Sequence, residues 1–222
     1  MTTYPFNLLD QDIYPLLGEE YKGQMPLCIT FADKEHPLVK LQFTHTQKEV
    51  NDYIYTKMLK EANATWAVSG YLEDRTTLLS KYPQYVRENR VFHTGVDIIV
   101  PVNTKLYAPL DCEVFAVEYE EEEGSYGNLI VLKYDLNGSV FYSLLGHTKP
   151  ELPAVGTKIK RGEVFAEVGD FKDNGFWFQH THLQVFSQKA VDNGWIHKGY
   201  CTGENLKEIT DLCANPIFLL KI

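Results

Sequence analysis

Two short motifs place histidines where they could share a metal ion. If residues 179–186 form a strand, alternate side chains point to one face, so His180 and His182 lie on the same side. His93 and Asp97 are four residues apart with a glycine between them, which can bring an imidazole and a carboxylate to one side of a strand or tight turn. A catalytic zinc ion takes three protein ligands of this His/His/carboxylate kind and keeps one position open for water. The ligand types of one hydrolytic zinc site are therefore present.

Neither motif is specific alone. Carbonic anhydrases, amidohydrolases and cupins all contain a His-x-His pair, and a single histidine is usually a surface or core residue. The order of the motifs is more informative: His-x-Gly-x-Asp comes first, then a β-rich stretch, then Gly146-His147, and finally His180-x-His182. Cupins place the His-x-His pair before the remaining ligands, so this order excludes them.

With these motifs in this order, residues 93–186 resemble the lysostaphin-type zinc endopeptidases, also called LytM-like. The segments that carry the resemblance are His93-Thr94-Gly95-Val96-Asp97-Ile98, residues 104–111, Tyr126-Gly127-Asn128, Leu144-Leu145-Gly146-His147, Val155-Gly156, residues 160–163, Val168-Gly169 and His180-Thr181-His182.

The resemblance implies a small, mainly antiparallel β catalytic domain that hydrolyses an amide bond in a peptide or peptidoglycan-like substrate. It implies that His93, Asp97 and His182 bind Zn²⁺. His147 and His180 would then be catalytic residues that act on the water or on the tetrahedral intermediate. Which of the two is the base is not determined by the sequence.

The chain departs from the family pattern in two places. Gln184 stands where the family often has an acid, and we expect it to orient a zinc ligand through a hydrogen bond. Residues 173–178 are bulky and aromatic where glycine and proline are common, which affects the expected substrate preference. The Trp177-x-x-His180 region resembles a variant of the family that lacks a signal peptide.

Two alternative functions remain open at this point. One is a zinc-binding module that recognises a ligand or scaffolds a partner without catalysis. The other is a cytoplasmic zinc amidohydrolase that acts on a small conjugate. All five polar positions of the family pattern are present, which favours an enzyme.

Some residues before the first motif are weaker candidates. Tyr71, Glu73 and Arg75 could contact substrate, although a salt bridge in a linker is the favoured interpretation. Asn63 is considered as an occluding fourth ligand and is not favoured.

Composition limits the function classes. The chain has 222 residues, 44% of them hydrophobic, and a formal net charge of −9, which argues against nucleic-acid and anionic-membrane partners. Four scattered cysteines without a CxxC motif are expected to be reduced. The start, Met1 to Pro5, lacks the features of a secretory signal, so a cytoplasmic location is expected. The oligomeric state is not predicted.

The expected fold class is mainly β (α+β overall), an antiparallel sheet or sandwich with an N-terminal strand–helix extension. We divide the chain into an α+β extension packed on the core (1–89), the peptidase domain (90–190) and a C-terminal tail that docks on the core (191–222). Strands are predicted at 27–31, 39–44, 114–119, 129–134, 140–145 and 164–168, with a hairpin turn at Asn137-Gly138. One helix is predicted from a Thr46/Glu49 capping box to about Asn63, and another near 204–212. Residues 217–220 are expected to dock on the body of the protein.

Overall fold

The computed structural model describes residues 12–221, so the prediction for Met1 to Pro5 lies outside the described residues. In chain order the described strands are β1 (Leu27–Ile29), β2 (Ala67–Ser69), β3 (Phe92–His93), β4 (Val96–Ile99), β5 (Lys105–Tyr107), β6 (Cys112–Glu120), β7 (Gly127–Leu136), β8 (Ser139–Thr148), β9 (Lys158–Ile159), β10 (Val164–Glu167), β11 (Thr181–Ser187) and β12 (Tyr200–Cys201). The helices are α1 (Pro37–Thr44), α2 (Gln47–Tyr53), α3 (Leu59–Glu61), α4 (Thr76–Leu79), α5 (Pro83–Glu88), α6 (Gln188–Asp192) and α7 (Ile209–Leu212), with a π-helical turn at Ile54–Met58 and 3₁₀ turns at Gly203–Lys207 and Pro216–Leu220.

One large sheet organises the chain. Its eight strands run in the order β1-β2-β4-β11-β8-β7-β6-β9. The β1–β2 pair is parallel, and the pairs that follow it along the sheet are antiparallel. The fold is therefore mainly β with a few helices, as predicted.

The extension and the tail both add strands to the body. β2 pairs with β4, with Val68 opposite Ile98. β12 in the tail pairs with β3, with Tyr200 opposite His93. A further two-stranded sheet joins β5 and β10. The sequence on either side of the central β region thus completes the sheets around the two metal motifs.

The main hydrophobic core also draws on all parts of the chain. Trp66 and Val68 come from the extension, Leu183 comes from β11, and Leu219 and Leu220 come from the tail. All are at most 4% exposed. Burial of these side chains provides the apolar transfer free energy that holds the extension and the tail on the sheet.

The predicted strand at 39–44 is wrong, because these residues lie in helix α1. Pro37 occupies the first turn, where its fixed φ suits a helix and its missing N–H costs nothing. The His36 side chain accepts a hydrogen bond from the Leu38 N–H and caps the helix. Leu38, Val39 and Gln42 are buried while Phe43 is 46% exposed, a helical burial pattern that the apparent alternation concealed.

Several other predicted elements are confirmed. The capping box forms, with Thr46 Oγ1 accepting from the Glu49 N–H and the Glu49 carboxylate accepting from the Thr46 N–H. The helical stretch that begins there ends at Glu61, just before Asn63 with φ +51°. Asn137-Gly138 forms the β7–β8 turn with both residues at positive φ. The predicted strands 27–31, 114–119, 129–134, 140–145 and 164–168 and the tail helix near 204–212 are also present, with shifted ends.

Among residues 12–221, no helix is both long enough and apolar enough to cross a membrane.

Candidate metal centre

His93, Asp97 and His182 meet at the junction of three strands. His93 ends β3, Asp97 lies in β4, and His182 lies directly opposite Asp97 in the β11–β4 ladder. The three side chains are buried. Among the described residues, His93, Asp97 and His182 each offer one atom that could bind a common metal ion.

The separations of these atoms suit a tetrahedral ion. His93 Nε2 lies 2.9 Å from His182 Nδ1, and Asp97 Oδ1 lies 3.4 Å from the first and 3.2 Å from the second. Two ligands of a tetrahedral zinc ion, each about 2.0–2.1 Å from the metal, are about 3.3 Å apart. The donor set therefore fits zinc in both chemistry and spacing.

Hydrogen bonds to the opposite ring nitrogens orient both imidazoles. His93 Nδ1 faces the carbonyl oxygen of Gly70 at 3.4 Å, and His182 Nε2 faces Gln184 Oε1 at 3.2 Å. If these nitrogens carry the protons and donate, His93 Nε2 and His182 Nδ1 are left with lone pairs directed at the same point. Gln184 is thus placed to orient a ligand, as the sequence suggested.

Arg75 holds the other oxygen of Asp97. Its Nη1 donates to Asp97 Oδ2 at 2.6 Å, and its Nη2 donates to Ser69 Oγ at 2.8 Å and contacts Glu73 Oε1 at 2.7 Å. The Tyr200 hydroxyl lies 3.3 Å from Nη1. With Oδ2 engaged in this way, Oδ1 is the carboxylate oxygen presented to the metal position.

The charges of this cluster are strongly coupled. Burial alone would raise the pKa of Asp97, but Arg75 and the neighbouring histidines hold that pKa well below its ordinary value. Burial, reinforced by Arg75, lowers the pKa of His93 to about 3. At neutral pH the centre therefore presents an ionised carboxylate and a neutral His93, the protonation states that metal binding requires.

Gly95 makes room for the close approach of β11. A Cβ atom at this position would lie 2.4 Å from the Leu183 carbonyl oxygen and 2.6 Å from the His182 ring. A side chain there would have to displace either the backbone or a ligand, which explains a glycine between His93 and Asp97.

His180 lies beside this group and points a free nitrogen toward it. Its Nδ1 is 2.8 Å from the carbonyl oxygen of Phe178, so Nδ1 carries the proton and Nε2 has the lone pair. Nε2 lies 3.7 Å from Asp97 Oδ1. Burial lowers the pKa of His180, so the ring is neutral at pH 7 and able to accept a proton.

His147 reaches the same space because of a β-bulge. In the β7–β8 ladder, Asn128 pairs with Thr148 and Leu129 with Gly146, so His147 between them has no partner across the ladder. Its φ is +63°, a left-handed value that is costly for a residue with a side chain. Such bulges redirect a side chain and are common next to active sites.

The His147 ring lies 4.3 Å from the His180 ring, measured between centroids. Its Nδ1 is buried and has no hydrogen-bond partner among the described residues. Burial, with the two neighbouring histidines, lowers the pKa of His147 well below its ordinary value. A buried, neutral and unpaired ring nitrogen is costly unless a ligand or water uses it.

A cavity of about 350 Å³ connects the centre to the surface. Its lining includes Asp97, His147, His180 and His182, together with Arg75. The strongly shifted pKa values of the lining residues and their convergence on one cavity are typical of a functional site.

Arg75 contacts the candidate ligand Asp97, a role that the sequence did not predict. The predicted salt bridge with Glu73 exists, but it is buried beside Asp97 in the candidate metal centre and is not a linker contact. Tyr71 instead donates its hydroxyl hydrogen to the Cys213 carbonyl. Asn63 is exposed beyond α3 and is not in the potential ligand group. An arginine two residues after a glutamate carries no motif by itself, so only the spatial contact reveals its role.

Comparison with known proteins agrees with the motifs. The model of Peptidase family M23 matches residues 91–193. A zinc-containing peptidase from Vibrio cholerae is similar at 26% identity and a TM-score of 0.38, over 44% of this chain and 28% of that chain. The catalytic domain of lysostaphin from Staphylococcus simulans is similar at 21% identity and a TM-score of 0.38, over 44% and 68% respectively. The catalytic domain of the prophage-encoded M23 protein EnpA from Enterococcus faecalis is similar at 23% identity and a TM-score of 0.37, over 44% and 69%.

The chain thus spans less than a third of the V. cholerae protein in that comparison. Among curated proteins, no relative matches significantly. The family match begins at residue 91 and ends at residue 193, so it contains His93, Asp97, His147, His180 and His182. This match confirms the resemblance to the lysostaphin-type peptidases over residues 91–193, which are similar to peptidase family M23.

Proposed function

We propose that this chain is a zinc-dependent metallopeptidase that hydrolyses an amide bond in a peptide or peptidoglycan-like substrate. The observation that carries the proposal is the group of His93 Nε2, Asp97 Oδ1 and His182 Nδ1, whose mutual distances are 2.9–3.4 Å. Each of these side chains has its remaining polar atom engaged by another group, which leaves three lone pairs directed at one point.

In this proposal His93, Asp97 and His182 hold the zinc ion. Zinc bound there would polarise the scissile carbonyl and lower the pKa of a water molecule to about 7. Three protein ligands would leave one position of the ion for water. Asp97 and His182 line the same cavity as His147 and His180.

His180 and His147 supply the proton transfers. His180 Nε2 carries a lone pair and faces the ligand group, so it can accept the proton of the attacking water. His147 lines the same cavity, so its ring can hydrogen bond to the carbonyl oxygen or to the leaving amine. Both rings are neutral at pH 7 because burial lowers the pKa of each.

A non-catalytic zinc-binding module explains these two histidines less well. Metal binding needs neither the strained backbone of His147 nor its unpaired buried nitrogen. Both features are costs that a binding scaffold would have no reason to retain, whereas a hydrolase uses the group they position.

Metal removal tests the proposal directly. We expect about one zinc ion per chain by elemental analysis, and loss of peptide cleavage after chelation that added zinc restores. The substrates are a panel of glycine- and alanine-containing peptides, with cleavage followed by mass spectrometry. A protein that retains no divalent ion at neutral pH, or that binds zinc and cleaves none of the panel, contradicts the proposal.

A further inference from the structure

His180, the proposed proton acceptor, lies one residue before β11 begins. His182 has ladder partners on both sides, Asp97 in β4 and Gly146 in β8, whereas the pairing of β11 with β4 starts only at Thr181. The sheet therefore fixes the backbone of His182 more directly than that of His180. The position of the His180 ring depends in addition on what holds the segment just before it.

Helix α2 of the extension contacts the residue immediately before His180. Asn51 Nδ2 donates to Gln179 Oε1 at 2.9 Å, and the Gln179 N–H donates to Asn51 Oδ1 at 3.2 Å. Gln179 Nε2 donates in turn to Asp170 Oδ1 at 3.3 Å. Because a backbone N–H can only donate, Asn51 must present its oxygen to it, and this fixes the orientation of both side-chain amides.

Helix α2 is itself held in place by buried neighbours of Asn51. Val50 and Ile54 are at most 1% exposed, and they belong to the same apolar cluster as Phe31 and Phe178. Burial of these side chains fixes the helix relative to the segment before β11. Asn51 therefore reaches Gln179 from a firmly packed element.

The segment that Asn51 holds also contacts the His180 ring. The rings of Phe31 and Phe178 are stacked with centroids 5.7 Å apart, and those of Phe178 and His180 are stacked at 4.6 Å. His180 Nδ1 donates to the Phe178 carbonyl oxygen at 2.8 Å, and Asn174 Nδ2 donates to the same oxygen at 3.3 Å. A displacement of residues 178–179 would therefore move the ring of His180, and with it Nε2.

We propose that Asn51 is a positioning residue for His180: its two hydrogen bonds with Gln179 hold the chain before the His-x-His pair and thereby set the direction of His180 Nε2. The inference rests on the proposed function, in which His180 accepts a proton from the attacking water. Asn51 does not line the cavity, so it acts through Gln179 and not on the substrate. Such an effect can be large, since a displacement of about 1 Å can lower a rate about 100-fold.

NMR of the histidine rings tests the positioning independently of catalysis. The zinc-loaded protein is labelled with ¹⁵N-histidine, and the His180 signals are identified by their loss in His180→Ala. We expect Asn51→Ala to shift or broaden the His180 ring signals at constant pH. Unchanged His180 signals in folded, zinc-loaded Asn51→Ala overturn the inference, whether or not the protein cleaves a peptide.

Kinetics test whether this position matters for turnover. With the best peptide of the glycine and alanine panel, Asn51→Ala should lower kcat by about tenfold or more and leave KM nearly unchanged. Gln47→Ala is the matched control, because Gln47 is also half-buried on α2 and donates an amide hydrogen bond, to Gln42 Oε1 at 3.1 Å. It should change neither the His180 signals nor kcat.

Two further variants separate positioning from general destabilisation. Asn51→Asp keeps an oxygen that accepts from the Gln179 N–H, and the Gln179 amide can turn to donate to it, so most of the lost turnover should return. Zinc content and thermal unfolding show whether each variant is folded. If Asn51→Ala is unfolded, Gln179→Ala removes only the side-chain hydrogen bonds and should still change the His180 signals; unchanged signals there overturn the inference.

The outcomes distinguish this inference from the proposed function. An equal loss of kcat in Asn51→Ala and Gln47→Ala contradicts the role of Asn51 and leaves the peptidase proposal intact. A wild-type protein that binds zinc and cleaves no peptide contradicts the proposed function, and the NMR comparison of Asn51→Ala with Gln47→Ala still decides whether Asn51 positions His180.

Discussion

At the residue scale, the cluster divides into groups that face the metal position and groups that hold them there. His93, Asp97 and His182 have one polar atom directed at the common point and the other engaged by Gly70, Arg75 or Gln184. His147 and His180 line the cavity beside this group, and His180 keeps Nε2 without a proton because Nδ1 donates to Phe178. These two groups should respond differently to substitution.

Alanine at His93, Asp97 or His182 should weaken zinc binding, remove the stabilisation that zinc gives the fold, and abolish cleavage. That stabilisation is about 2.7 kcal/mol when free zinc is 100-fold above its dissociation constant. Alanine at His147 or His180 should leave zinc bound and lower turnover by roughly 10²–10⁴-fold, as expected for a lost proton-transfer group. Thermal unfolding with and without zinc, together with kinetics, measures both effects.

The reverse pattern within the His-x-His pair is also informative. If His180→Ala loses zinc while His182→Ala retains it, the ligand and the catalyst are exchanged. If neither His147 nor His180 affects turnover, the peptidase mechanism is wrong for this chain.

Arg75→Met should destabilise the zinc-free protein strongly. It leaves the buried carboxylates of Glu73 and Asp97 without their cation, and removal of one partner from a buried ion pair costs roughly 3–5 kcal/mol. Zinc should restore part of this loss, because the metal again compensates the Asp97 charge. Denaturant unfolding with and without zinc measures the difference.

Arg87→Met is the control for Arg75→Met, since Arg87 is exposed on α5 and its substitution should change the unfolding free energy by no more than about 0.5 kcal/mol. An equal loss for Arg75→Met in the presence and absence of zinc would show that Arg75 does not act on the metal position.

At the scale of elements, the bulge in β8 lowers the stability of the fold but places the His147 imidazole at the cavity. His147 has φ +63°, a region that glycine adopts freely and that costs other residues about 1–2 kcal/mol. The strand pairs regularly with β7 on the N-terminal side of this residue, so the strain is local to the point where the side chain must turn into the cavity.

Replacement of His147 by glycine should therefore give a more stable protein than replacement by alanine. The expected difference in unfolding free energy is roughly 0.5–1 kcal/mol, after the larger entropy loss of glycine on folding is subtracted. Both variants should lack the catalytic contribution of the ring. Denaturant titration of the pair measures the difference.

The same two substitutions at Ser143, which lies in the regularly paired part of β8, provide the control, and there alanine should be the more stable variant. If alanine is also the more stable residue at position 147, the backbone at the bulge is not strained.

At the scale of the whole molecule, the extension and the tail contribute groups around the candidate metal centre. Ser69, Gly70 and Arg75 precede the family match at residue 91, and Tyr200 follows its end at residue 193. β2 and β12 also pair with the strands that carry the candidate ligands. We therefore propose that the described parts of the extension (12–89), the peptidase domain (90–190) and the tail (191–221) fold as one cooperative unit.

A fragment of residues 90–193 should fail to fold cooperatively, or should bind zinc at least 10–100-fold more weakly than the full chain, since the groups that orient His93 and Asp97 are missing. Thermal unfolding and zinc titration of both proteins measure this. Limited proteolysis of the full chain that releases a stable core starting near Val91 would contradict the proposal.

The sequence alone predicts the candidate site residues better than it predicts the residues that surround and orient them. Strand alternation placed His180, His182 and Gln184 on one face, and the order of the motifs led to the family. The Asn137-Gly138 turn and the Thr46 capping box were predicted for the same reason. In each case the relevant interaction is between residues a few positions apart, so spacing and residue type contain the information.

The contacts between residues far apart in the chain were revealed only by the tertiary structure. Arg75 and Asp97 are 22 residues apart, Arg75 and Tyr200 are 125 apart, and Tyr85 and Gly124 are 39 apart. No periodic pattern links such positions, because each contact exists only after separate elements have packed. The wrong prediction at 39–44 has a local cause as well. Its alternation suited a strand, but the His36 cap and Pro37 in the first turn favour a helix, which the burial of Leu38 and Gln42 stabilises. The sequence therefore determined which side chains are available for metal binding and proton transfer, and the packing of the extension and tail determined how they are oriented.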